Sequence, residues 1–147
     1  MLTTSAPAVP ELAARLRLAV TRTARRLRQQ SDPALSPTQA AALATIERAG
    51  PLTPSQLAKI ERVQRPTISR VSARLAEAGL VERLPDELDG RGAQLRLTPQ
   101  GRSTLRALRR RKTAYLAERL EGLDPEDQAV LARAAELLER LLEDERE

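Results

Sequence analysis

The chain has 147 residues, the size of one ordinary domain, with no Cys, His, Phe or Trp and a single Tyr. The missing cysteine excludes disulfides, thiolate metal sites and thiol redox sensing, and the missing histidine removes the commonest general base and transition-metal ligand. The net charge of +5 is unevenly spread: residues 121–147 hold ten acids against three Arg, and residues 51–112 hold fourteen Lys or Arg against six acids. That asymmetry fits a chain that meets a polyanion with one part only, although solvated helix faces would give the same count. No apolar run approaches the roughly 20 residues that span a bilayer, and no signal-peptide pattern opens the chain, so a cytoplasmic protein without a membrane partner is expected.

The predicted elements are mostly helical and sharply punctuated. A first helix runs from about Val9 to Gln29 on the spacing of Leu12, Leu16, Ala19, Val20, Thr23 and Leu27, and Asp32-Pro33 breaks it. Ser36-Pro37-Thr38-Gln39 then supplies a capping Ser, a first-turn Pro and a Gln three residues after the cap, opening a second helix that stops at Gly50-Pro51. Thr53-Pro54-Ser55-Gln56 repeats the pattern for a short third helix to about Ile60, and a fourth covers about Pro66 to Ala78. Val81 to Leu84 and Gln94 to Leu97 read as short strands around a loop holding Gly90 and Gly92. Thr98-Pro99 and Asp124-Pro125-Glu126 start the last two helices, to about Glu121 and nearly to the end. The fold class is therefore mostly α, an α+β winged helix: six helices with a two-stranded β-wing. Its core must be built from Leu, Ala, Val and Ile.

The third and fourth helices, joined by a short turn, form a helix-turn-helix pair. Leu57 and Ala58 face inward from one, and Ile68, Val71, Ser72 and Leu75 form one stripe on the other. The fourth helix then presents Pro66, Thr67, Ser69, Arg70, Ala73 and Arg74, a set short or cationic enough for a DNA major groove. Gln64, Thr67 and Ser69 are within reach of bases or phosphates, Arg70 is suited to guanine, and Arg74, further along, to phosphate. Arg65 joins them at the helix entry, and Thr53 and Ser55, opening the third helix, are expected at phosphates. Gly79 is placed for the left-handed C′ position, with Leu80 returning onto Leu75. In the loop, Arg91 stands between Gly90 and Gly92, suited to the narrow minor groove, with Asp89 to hold its guanidinium. Each piece alone also fits an ordinary helical domain; their order is what points to duplex DNA.

Three segments resemble the multiple-antibiotic-resistance regulator (MarR) family: Leu75-Ala76-Glu77-Ala78-Gly79-Leu80-Val81-Glu82-Arg83, then Asp89-Gly90-Arg91-Gly92, then Leu97-Thr98-Pro99-Gln100-Gly101. Their spacing also fits, and the resemblance covers nearly the whole chain. It implies a homodimeric transcription factor, most often a repressor, on a pseudo-palindromic site, with the wing Asp and Arg at Asp89 and Arg91. Gln64-Arg65-Pro66 departs from the small residues common at that helix entry. The resemblance also implies that both terminal helices build the dimer, through Leu12, Leu16, Leu131, Leu138, Leu141 and Leu142. Residues 35–100 would then be the DNA-binding lobe of a single domain spanning 1–147, and 9–30 and 102–147 the dimerisation helices.

A small-molecule effector is a further partner the resemblance suggests, but with Tyr115 as the sole aromatic the usual walls of a ligand site are missing. No cofactor is called for. No Gly-rich phosphate loop, metal constellation or nucleophile elbow points to an enzyme. The remaining rival is a helical dimeric interaction protein of the same fold that no longer binds DNA.

Overall fold

Proline at the first turn and a side-chain cap in front of it set where most of the helices begin. The computed structural model describes residues 6–30, 34–85 and 93–143. Its order is α1 (Val9–Arg28), α2 (Pro37–Ala49), α3 (Pro54–Glu61), α4 (Arg65–Glu77), β1 (Val81–Leu84), β2 (Gln94–Leu97), α5 (Pro99–Glu121) and α6 (Pro125–Glu143). Six helices and a two-stranded antiparallel sheet are the predicted winged-helix architecture, with boundaries within about two residues of those read from the caps. No helix among the described residues is long and apolar enough to cross a membrane.

Ser36 accepts from the Gln39 N–H at 3.1 Å while the Gln39 side chain accepts from the Ser36 N–H at 2.9 Å, and Thr53 and Gln56 repeat this reciprocal cap on α3. Asp124 caps α6 through the Asp127 N–H at 2.9 Å. In the sheet, Val81 pairs with Leu97 and Leu84 with Gln94. Glu82 and Arg96 oppose each other on the solvent face as an ion pair. A further bridge joins Leu52 to Leu95 by reciprocal backbone hydrogen bonds, so the link between α2 and α3 adds a third rung to the sheet edge.

The chain divides into two compact units, Met1–Lys112 and Thr113–Glu147, with the boundary inside α5. The core of the first is aliphatic throughout. Leu43 and Ile46 of α2, Leu57 of α3, Ile68 and Leu75 of α4, Leu95 of β2 and Leu105 of α5 are almost fully buried. In the second, the Gln128 side chain donates to the Leu120 and Leu123 carbonyls at the turn between α5 and α6, and Arg119 stacks 3.4 Å from the Tyr115 ring centre. Neither α1 nor α6 buries a single residue.

Candidate nucleic-acid interface

Helix α4 is divided by its own periodicity. Ile68, Val71, Ser72 and Leu75 are buried, which fixes the helix's rotation on α2 and α3. Gln64, Arg65, Pro66, Ser69, Arg70 and Arg74 are exposed, and Thr67 and Ala73 are half-buried. Gln64 occupies the N-cap but makes no side-chain capping bond, so its carboxamide is left for other contacts. The inward stripe and the outward polar set are those expected from the sequence. The helix begins at Arg65 rather than Pro66, which places Pro66 in its first turn, where its missing N–H leaves no bond unmade.

What the periodicity does not reveal is the turn before α4. Arg62 closes α3 in the left-handed conformation, φ 53° and ψ 44°. Its neighbour Val63 donates to the Ala58 carbonyl at 3.0 Å. A non-glycine residue held there costs about 1 kcal/mol or more, so the surrounding packing sets this turn. A buried contact also ties α3 down: the Thr45 hydroxyl of α2 donates to Glu61.

The far end of α4 explains two of the sequence segments in physical terms. Gly79 sits at φ 75°, the Leu80 N–H reaches the Leu75 carbonyl at 2.9 Å, and the Gly79 N–H reaches Ala76 at 3.0 Å. This pair of bonds is a Schellman stop, and it drops Val81 straight into β1. The Thr98 hydroxyl donates to the Gly79 carbonyl at 2.6 Å and accepts from the Gly101 N–H at 3.0 Å. One side chain thus caps α5 and anchors the end of α4. Gly101 is required because a Cβ there would strike the Leu80 carbonyl and lie 2.7 Å from Leu97 Cδ1. The Leu-Thr-x-x-Gly pattern is therefore a clasp between the recognition helix, the sheet and α5.

β1 and β2 carry the wing. Its proposed tip, Asp89, Gly90, Arg91 and Gly92, lies outside the described residues. At the start of α3, Ser55 is exposed, and Thr53 is half-buried with its oxygen engaged by the Gln56 N–H.

Two concavities flank this interface within the first unit. One lies between the first turn of α2 and the outward face of α4, lined by Ser36, Thr38, Gln39, Thr67, Arg70 and Arg74. Sequence reasoning read Ser36 to Gln39 as a cap and missed this second role. The other lies among the end of α1, α2 and α5. Ala40, Ala44 and Leu105 line it together with the cations Arg28, Arg109 and Lys112. Beside it, Arg109 donates to Glu47 at 2.7 Å and holds that carboxyl below the usual carboxylate range, helped by Arg102 and Arg106 and opposed by partial burial.

The residues expected at a dimer interface are unburied in the single chain. Leu12, Leu16, Leu131, Leu141 and Leu142 are exposed and Leu138 half-buried, with Val130 at 64%, Leu141 at 61% and Leu142 at 63%.

A recognition helix rotated by its own core, clasped to a two-stranded wing, defines a winged helix-turn-helix transcriptional regulator. The MarR family model matches residues 35–92. An HTH-type transcriptional regulator of Mycobacterium bovis is 39% identical over 135 residues, covering 90% of this chain and 94% of that protein. Among solved structures, a Pseudomonas aeruginosa protein described as a transcriptional regulator superposes with a TM-score of 0.78 at 33% identity, over 90% of this chain and 94% of that one. The Streptococcus pneumoniae FabT structure, solved in complex with DNA, gives 0.55 at 30% identity over 75% and 77%. The chain belongs to the MarR family of transcriptional regulators, which are not enzymes.

Proposed function

We propose that the chain works as a homodimer that places one α4 per protomer in successive major grooves of a pseudo-palindromic operator and represses transcription by occupying it. The observation that carries this is the division of α4: a buried stripe fixes its rotation, leaving Thr67, Ser69, Arg70 and Arg74 turned outward with neither Arg held by an acid among the described residues. The DNA in the FabT structure supports the same use of a related fold. Arg70 pairs with guanine, Gln64, Arg65, Thr67 and Ser69 meet bases or phosphates near the helix entry, where Pro66 keeps the profile low, and Arg74, Thr53 and Ser55 meet phosphates. Arg91, held by Asp89 between Gly90 and Gly92, enters the minor groove. The stripes of Leu12 and Leu16 and of Leu131, Leu138, Leu141 and Leu142 bury one another between copies, which sets the half-site spacing near ~34 Å. A small amphiphilic anion in the concavity of Arg28, Arg109 and Lys112 is the kind of effector that would release the complex.

The test is fluorescence anisotropy on the duplex upstream of the protein's own gene. Affinity should fall by about a thousandfold or more between 50 and 200 mM salt. A salt-indifferent protein would instead be the helical interaction module. Arg70→Ala should relax base preference by about 1–3 kcal/mol at one position, and a uniform loss on all sequences would reassign it to phosphate. Arg91→Ala should weaken binding without lowering the melting temperature.

A further inference from the structure

The concavity between α2 and α4 has the makings of a binding seat that the helix-turn-helix itself does not include. The first turn of α2 is nearly saturated from within. The Ser36 and Gln39 N–H groups are taken by the reciprocal cap, Pro37 has none, and the Ala40 N–H donates to the Ser36 carbonyl at 2.9 Å. The Thr38 N–H makes no hydrogen bond among the described residues, nor does its hydroxyl. Gln39 is only 8% exposed, and its oxygen is spent on the Ser36 N–H. Its Nε2 has no acceptor among the described residues, and the side chain lines the concavity. A buried amide donor without an acceptor is costly unless something outside the chain accepts from it. Across from it, Arg70 and Arg74 project from α4, again without an acidic partner among the described residues. Unpaired donors, two guanidiniums and the positive end of a helix converge, and no carboxylate lines the cavity.

We propose that this concavity, between Thr38 and Gln39 of α2 and Arg74 of α4, seats one backbone phosphate of the bound DNA. This rests on the DNA-binding reading above and extends the contact surface to a helix outside the helix-turn-helix pair. Arg74 supplies the charge, and the Thr38 N–H and hydroxyl and the Gln39 amide supply oriented donors. Because α2 is locked to α3 through Thr45 and Glu61, the seat fixes how deeply α4 enters the groove. It carries no sequence information, so its loss weakens all sequences alike.

The experiment measures anisotropy on a mixed-sequence 24-base-pair duplex across a salt series, for the wild type, Arg74→Gln and Thr38→Asp. An acid in the first turn of a helix is compatible with folding, so Thr38→Asp should keep the melting temperature of the wild type. It should lower affinity about tenfold or more by repelling the phosphate. Arg74→Gln should reduce the slope of log affinity against log salt by about 0.9. If Arg74→Gln lowers the slope but Thr38→Asp leaves affinity unchanged, Arg74 meets a phosphate elsewhere and the seat is overturned. Unchanged behaviour of both variants also overturns it, with DNA binding itself intact. A wild type that does not bind the duplex overturns both readings. A titration with inorganic phosphate, followed at the Thr38 amide by NMR, separates the two sources of the anion. Shifts there, with duplex affinity unaffected by either variant, would make this a site for a free anion and not for DNA.

Discussion

The lobe running from α2 to β2 and the helix α6 use the same aliphatic residues to opposite ends. In the lobe, Leu43, Leu57, Ile68 and Leu95 are wholly buried within one chain. On α6, Val130, Leu141 and Leu142 keep more than 60% of their surface exposed. Full burial of one such side chain contributes about 1.5–3 kcal/mol. The lobe therefore collects its stabilisation alone, whereas a striped helix that buries nothing collects it only from a partner, which the proposed dimer supplies. The difference separates residues that hold the reading head from residues that set its spacing.

The sharpest way to break that contrast is to make one substitution in both regions. Leu43→Ala should cost about 2–5 kcal/mol in chemical denaturation, at any protein concentration. Leu141→Ala should cost little at high dilution and lower the melting temperature only in the range where dimers form. Equal, concentration-independent losses would mean that α6 is core and not interface. Gly101→Ala tests the clasp between α4 and α5. Overpacking against the Leu80 carbonyl should cost about 1–3 kcal/mol, and calorimetry showing no loss would sink the clasp. The smallest effect belongs to Glu47. Its folded pKa lies below the unfolded one, so its pairing with Arg109 stabilises fully above the ordinary carboxylate range and is lost as pH falls through the lowered value. Because Arg109 is half exposed, Glu47→Gln should cost only a few tenths of a kcal/mol at neutral pH. That difference from wild type should vanish on acidification, and a difference that persists would assign Glu47 another role.

Most of the fold was legible because its boundaries are written in short-range chemistry. Caps at Ser36, Thr53, Thr98 and Asp124 and the stop at Gly79 act within four residues, and the sequence displays them directly. The buried stripe of α4 was legible for the same reason, since a 3.6-residue period needs no knowledge of the partner. Long-range contacts were not. Nothing local marks Arg62 as left-handed, because the conformation is imposed by packing between α2, α3 and α4. The Leu52–Leu95 bridge joins residues 43 positions apart and has no periodic signature. Ser36 and Thr38 advertise a cap and conceal that they face Arg70 and Arg74 across a cleft. Ser72 was rightly placed inward, yet its hydroxyl is buried without a hydrogen-bond partner, which the period alone could not foretell.

The account stands or falls on how many chains engage one site. Sedimentation velocity of the protein mixed with the duplex from its own upstream region measures this directly. Two chains per duplex, dissociating together as salt rises from 50 to 200 mM, is the predicted result. One chain per duplex, or a protein dimer that sediments apart from the DNA at 50 mM salt, would contradict it.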